Sequence, residues 1–116
     1  MPSTNEYYYV LPEEMSIGAN TDDLLVSANY LRITATSSFE LTGIQAPVED
    51  SHACVFRLKN DAASGSGLNI TLKQDTTSAA GNRFFMLTGA DVILAPQQYA
   101  IFNVVTKGFV CSQIIT

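Results

Sequence analysis

Gly67–Lys73, GLNITLK, alternates without a fault: Leu68, Ile70 and Leu72 fall on one parity, Asn69, Thr71 and Lys73 on the other. Successive side chains of an extended chain point to opposite faces, so the pattern is a strand with one buried and one wet side. A helix would want its apolar residues three and four apart. The same period runs on either side of this segment. YLRITA sets Leu31, Ile33 and Ala35 against Tyr30, Arg32 and Thr34, and SFELTG repeats the pattern with Phe39 and Leu41. ACVFRLKN sets Cys54, Phe56 and Leu58 against Arg57 and Lys59. QYAIFNVV and FVCSQIIT alternate less cleanly, as expected of strands covered on both faces. In GADVILAPQQYAIF, Val92 and Leu94, then Ile101 or Phe102, are predicted core residues. Pro96 stands at the strand end, where a missing N–H costs least.

Turn signals separate these runs at short intervals: TSS before Phe39, NDAASGSG between Lys59 and Leu68, AP-QQ, and TKG. ASGSG reads as a hairpin turn that opens LNITLK, and QDTTSAAGN (74–82) reads as an exposed loop. Such punctuation predicts an all-β fold: a single antiparallel β-sandwich, jelly-roll-like, with about seven to eight strands. The sandwich occupies residues 24–116. Residues 1–23 differ in character, with Tyr7, Tyr8 and Tyr9 followed by Val10 and then Pro12-Glu13-Glu14. They read either as an edge strand or as an N-terminal arm lying on a neighbouring subunit. Tyr suits an arm because it buries a large ring at small entropic cost.

The chain has 116 residues, near the common size for one core, and 47% of them are hydrophobic, enough to fill it. Only 15% are charged, so the surface is expected to consist of Thr, Ser, Asn and Gln faces able to meet other proteins. Net charge is −5 and the cations Arg32, Arg57, Lys59, Lys73, Arg83 and Lys107 are scattered along the sequence. Nucleic acid, which requires clustered cations, is therefore not an expected partner. No apolar run approaches the ~20 residues that span a bilayer, and MPSTNEYYYVLPEE lacks the basic start and apolar stretch of a signal peptide. A soluble protein made in the cytoplasm, with no membrane partner, is expected. In that compartment Cys54 and Cys111 are expected to be reduced, buried thiols, a disulfide being the alternative.

No catalytic constellation emerges. His52 is the single histidine, in the acidic segment VEDSHA, with no second imidazole to complete a metal or acid–base site. The carboxylate pairs Glu13-Glu14, Asp22-Asp23 and Glu49-Asp50 are sequence neighbours, which point apart on an extended chain. ANTDDL supplies only part of a calcium loop, so these acids read as solvated turn residues. ASGSGLN opens a strand, whereas a phosphate-binding loop ends in Gly-Lys-Ser/Thr and opens a helix. Neither enzyme activity nor a cofactor is expected.

The order of segments in the second half is distinctive. Leu68–Leu72 is followed by Ser78–Ala80, Asn82-Arg83-Phe84, the Gly89–Pro96 strand ending ILAP, and Ala100–Phe102. LRITATSSFELTGI (Leu31–Ile44) precedes them. This succession resembles a small β domain of tailed-bacteriophage virion proteins, in which the upstream segment is a hairpin. The family often closes on Tyr-Asp and then Arg-Trp, where this chain has Asn103-Val104 and GFVCSQII without tryptophan. The resemblance implies a capsid cement or decoration protein on the exterior of the virion. Its partner would be the major capsid protein, bound as a homodimer or homotrimer, with Tyr7, Tyr8, Tyr9 and Val10 in the contact. A tail-fibre module that binds a receptor or glycan, using Tyr30, Tyr99 and Asp91, is the alternative. A ring-forming head-completion or tail-tube component is a third reading.

Overall fold

The computed structural model describes residues 12–45, 54–105 and 108–116, and they are all-β apart from one 3₁₀ turn at Ala80–Asn82. Tyr7–Val10, His52 and Glu49-Asp50 lie outside the described residues, as does the Cys54 side chain. The strands are β1 Glu13–Ile17, β2 Leu24–Leu25, β3 Tyr30–Ala35, β4 Phe39–Leu41, β5 Ile44–Gln45 and β6 Cys54–Asn60. They continue with β7 Ile70–Leu72, β8 Phe84–Met86, β9 Val92–Leu94, β10 Tyr99–Val105 and β11 Gly108–Ile115. The large sheet has the order β1-β3-β6-β10-β11-β8, a small sheet β4-β7-β9, and β2 pairs with β5.

Among the described residues eleven strands replace the expected seven to eight, and the pairing is mixed where an antiparallel fold was expected. Among the described strands only β6–β10, β10–β11 and β7–β9 pair antiparallel. β1–β3, β3–β6, β8–β11, β4–β7 and β2–β5 are parallel. For β3–β6 and β4–β7 the cause is the turns. TSS carries the chain from β3 in the large sheet to β4 in the small one, and ASGSG carries it from β6 to β7 in the same way. Neither turn is a hairpin; each makes an arch between sheets. The two arches stack, so their strands run parallel, and Ser38 Oγ accepts from Asn69 N at 3.0 Å where they meet.

An arch turns the apolar parities of its two strands toward each other. Leu31, Ile33, Ala35, Phe39, Leu41, Phe56, Leu58, Ile70 and Leu72 are all buried in one cluster that draws on all three sheets. Leu94 and Phe102 join it fully buried, whereas Val92 and Ile101 are only partly buried. Four phenylalanines anchor its middle: the rings of Phe84 and Phe102 stack at 5.0 Å, and Phe56 meets Phe109 edge-on at 5.5 Å. Burying rings of this size contributes about 3–5 kcal/mol each, judged by truncation to Ala.

The large-sheet strands β10 and β11 depart from the expectation of cover on both faces. Ala100, Phe102 and Val104 are buried, but Tyr99 and Ile101 are half-buried and Asn103 is exposed. One side of this sheet has no layer over it among the described residues. Glu13–Ile17 forms the outer strand beside β3.

Candidate functional site

The uncovered side is assembled by register. The pairing of β1, β3, β6, β10 and β11 puts Glu14, Arg32, Lys59, Tyr99 and Ile115 in one row across the sheet. The next row holds Tyr30, Arg57, Ile101 and Gln113, and the one beyond it Val55, Asn103, Val110 and Phe85. Val55 is 49% and Ile115 41% exposed, and Arg57, Asn103 and Gln113 are exposed too. The cations that are scattered along the chain thus converge: Arg32, Arg57 and Lys59 share this face. It is also less rich in Thr, Ser and Asn than the composition suggests, being aromatic, aliphatic and cationic at its centre.

Two of the three cations are neutralised in place. Asp61 accepts from Arg32 Nη2 at 2.8 Å and lies 3.2 Å from Lys59 Nζ, while Glu14 lies 3.5 Å from Arg32 Nη1. The Asp61 carboxylate, with help from Glu14, holds the Arg32 guanidinium pKa above its ordinary value. The Tyr30 and Tyr99 rings meet at 6.4 Å with a 36° tilt, and Lys59 Nζ sits 5.4 Å from the Tyr99 centroid. Burial, and then the neighbouring Tyr99 hydroxyl, raises the Tyr30 pKa. The tyrosines expected to form a glycan shelf therefore do meet, but Lys59 lies against one of them. Asp91 belongs to the small-sheet end, where Gln74 N donates to it at 2.8 Å and Lys73 Nζ lies 2.9 Å away. Those two contacts depress its pKa, the Gln74 amide first.

Of the acids that read as solvated turn residues, Glu13, Asp22 and Asp23 are engaged. Glu13 Oε1 accepts from Ser27 N at 2.7 Å. Asp23 Oδ1 accepts from Ala79 N and from Asn82 Nδ2, both at 2.8 Å, and these bonds hold its pKa below the ordinary 3.8. Asp22 accepts from Thr42 Oγ1, which also lies 2.6 Å from Ser78 Oγ. Ser78 is fully buried inside the segment expected to be an exposed loop, and its Oγ accepts from Asp23 N at 2.9 Å. This seam is a hydroxyl–carboxylate network whose groups tie 21–24, 42–43 and 75–83 together. Gly43 is needed there, since a Cβ would fall 2.4 Å from Asn82 O and 2.6 Å from Ser78 Oγ.

Among the described residues the other candidate sites are slight. Cys111 is a free, buried thiol whose pKa burial raises, away from the thiolate range. It lines a groove of about 180 Å³ with Met86, Val92 and Ile114, smaller than the ~300–1,000 Å³ of ordinary ligand pockets. Among the described residues no group of three or more His, Cys, Asp or Glu is placed to hold a metal ion, and no helix is long and apolar enough to cross a membrane. The outward face is the feature that sequence reading missed. Its signal was present in β6, whose parity opposite Phe56 and Leu58 is Val55, Arg57 and Lys59. No family model, no curated protein and no solved structure matches the chain.

Proposed function

We propose that this chain is a capsid cement or decoration protein of a tailed bacteriophage. It binds the outside of the assembled head, as a homodimer or homotrimer, and bridges subunits of the major capsid protein. The two main sheets and their shared core are read as a jelly-roll-like sandwich, with residues before β1 as an arm. The observation that carries the proposal is the uncovered face of the large sheet, where Val55, Ile101, Val110, Phe85 and Ile115 lie among Tyr30, Tyr99 and Arg57. This mix of aromatic, aliphatic and Arg residues is what protein interfaces concentrate at their cores. The order of segments from Leu31 to Phe102 supplies the phage context.

A cement protein has no reaction to perform. It stabilises the shell by binding the assembled lattice and not its free subunits, an effect of ~4 kcal/mol per site at a thousandfold excess over Kd. The tail-fibre reading rests on the Tyr30–Tyr99 pair and is weakened because Lys59 occupies one ring and Asp91 lies elsewhere. The test is co-sedimentation with heads assembled without this protein, read alongside glycan-array binding. Saturable binding to heads with a rise in their heat stability supports the proposal; glycan binding without head binding favours the fibre module. Removing residues 1–10 assigns the arm: binding lost from a protein that still melts cooperatively places Tyr7–Val10 in the contact.

A further inference from the structure

We infer that Arg57 is the anchor of the outward face, and that the capsid surface it meets presents a carboxylate within an apolar collar. This rests on the reading of that face as the capsid-binding surface. The face carries three cations and two carboxylates, and the carboxylates are spent. Asp61 holds Arg32 and Lys59, and Glu14 holds Arg32. Arg57 has no carboxylate partner among the described residues, although it lies beside both clusters. Its position is central, in the middle of β6, the third strand of six. Tyr30 and Ile101 flank it across the sheet and Val55 stands two residues along the same side. A partner covering that collar excludes water from the guanidinium. A bidentate Arg–carboxylate pair is then stronger and more exacting in geometry than one on an open surface.

The charge balance selects the partner. The whole chain has 6 Lys+Arg against 11 Asp+Glu. Taking away Arg32, Arg57, Lys59, Glu14 and Asp61 leaves 3 cations against 9 acids elsewhere. The face thus carries three cations against two carboxylates on an otherwise acidic molecule, a local excess that complements a carboxylate at contact. A second copy, face to face, fits poorly: a two-fold axis through the centre of the face sets Arg57 against Arg57, and like charges there oppose association.

The experiment compares wild type, Arg57→Lys, Arg57→Ala and Arg57→Glu for binding to heads of the encoding phage assembled without this protein. The double variant Val55→Asp/Ile101→Asp is run beside them. Arg57→Ala should weaken binding about 30-fold, the mark of a hot spot, with Arg57→Glu weaker still and Arg57→Lys intermediate. Unfolding midpoints should stay at the wild-type value, and the salt dependence seen with wild type should flatten in Arg57→Ala. Wild-type binding that stays within twofold in all three Arg57 variants, but falls in the double variant, overturns the anchor and leaves the face in place. Binding unmoved in every variant overturns the face as the site, and failure of wild type to bind heads overturns the cement reading; either removes the inference with it. Self-association of wild type that Arg57→Glu abolishes makes the occupant a second copy and overturns the inference too.

Discussion

Asn60 and Arg57 stand three residues apart on β6, one fully buried on the core side and the other exposed on the outward face. Asn60 has every group in use. Its Nδ2 donates to Leu68 O at 2.8 Å and Leu94 O at 2.9 Å, its Oδ1 accepts from Ala62 N at 3.1 Å, and its backbone bonds Gln97 and Gln98. It ties the large sheet to the small one. The Arg57 backbone N donates to Asn29 O at 2.9 Å, but its guanidinium makes no such tie among the described residues. The difference extends to regions: polar groups of the seam and of Asn60 are consumed in holding sheets together, whereas on the outward face Arg32 and Lys59 pair with Asp61 and the central Arg57 has no carboxylate partner among the described residues. Substitutions in the first region should change stability, and substitutions in the second should change binding alone.

Phe102→Ala is the harshest way to test that division, since the ring lies fully buried against Phe84 and Phe109. A loss of about 3–5 kcal/mol is expected in chemical denaturation, a large share of the ~5–15 kcal/mol available to a domain. Asn60→Ala should lose about 3 kcal/mol, because two carbonyls and one amide are left buried without partners. An Asn60→Ala protein as stable as wild type contradicts the tie. Gly43→Ala should lose about 1–3 kcal/mol through overpacking against Asn82 O and Ser78 Oγ. The seam also sets an acid limit. Because Asp23 has a folded pKa below 3.8, its contribution is fully present above that value and is lost as the pH falls through the folded pKa. Asp23→Ala should therefore flatten the acid limb of a stability–pH curve while leaving its slope near neutrality unchanged. The smallest stability effects belong to the outward face, where Val55→Ala and Arg57→Ala should each shift unfolding by less than about 0.5 kcal/mol. A larger loss at Arg57 shows the face to be structural and erases the contrast.

What could be read from the sequence follows the same line. Parity is local, so Leu31, Ile33, Phe56, Leu58, Ile70 and Leu72 announce their burial without any knowledge of partners. Which sheet a strand joins is not local. TSS and ASGSG have the composition of hairpin turns, and nothing in it separates a hairpin from an arch, so the antiparallel expectation failed at those two places. β10 misled for a different reason. Both of its parities are largely apolar, Tyr99 and Ile101 on one side and Ala100, Phe102 and Val104 on the other, a pattern that reads as cover on both faces. The apolar residues without cover are those of the candidate site. Arg57, Lys59 and Arg32 look dispersed because register, which brings Tyr30 beside Arg57 and Arg32 beside Lys59, is not written along the chain. Asn60 was within reach: it continues the inward parity of Phe56 and Leu58, where a polar residue demands partners.

The arches have a consequence for the order in which the chain can fold. Among the described strands only β10 and β11 pair as sequence neighbours; every other pairing closes a longer loop. β10 is also the strand that joins the β1-β3-β6 half of the large sheet to the β11-β8 half. Until Tyr99–Ile115 has been synthesised, Phe56 and Leu58 have no neighbour on one side, and the edge of β6 stays open. Folding must therefore wait for this segment and then proceed through non-local closures, which are slow. During that interval the nascent chain presents an unpaired apolar edge, the condition under which chaperones matter most for a small protein.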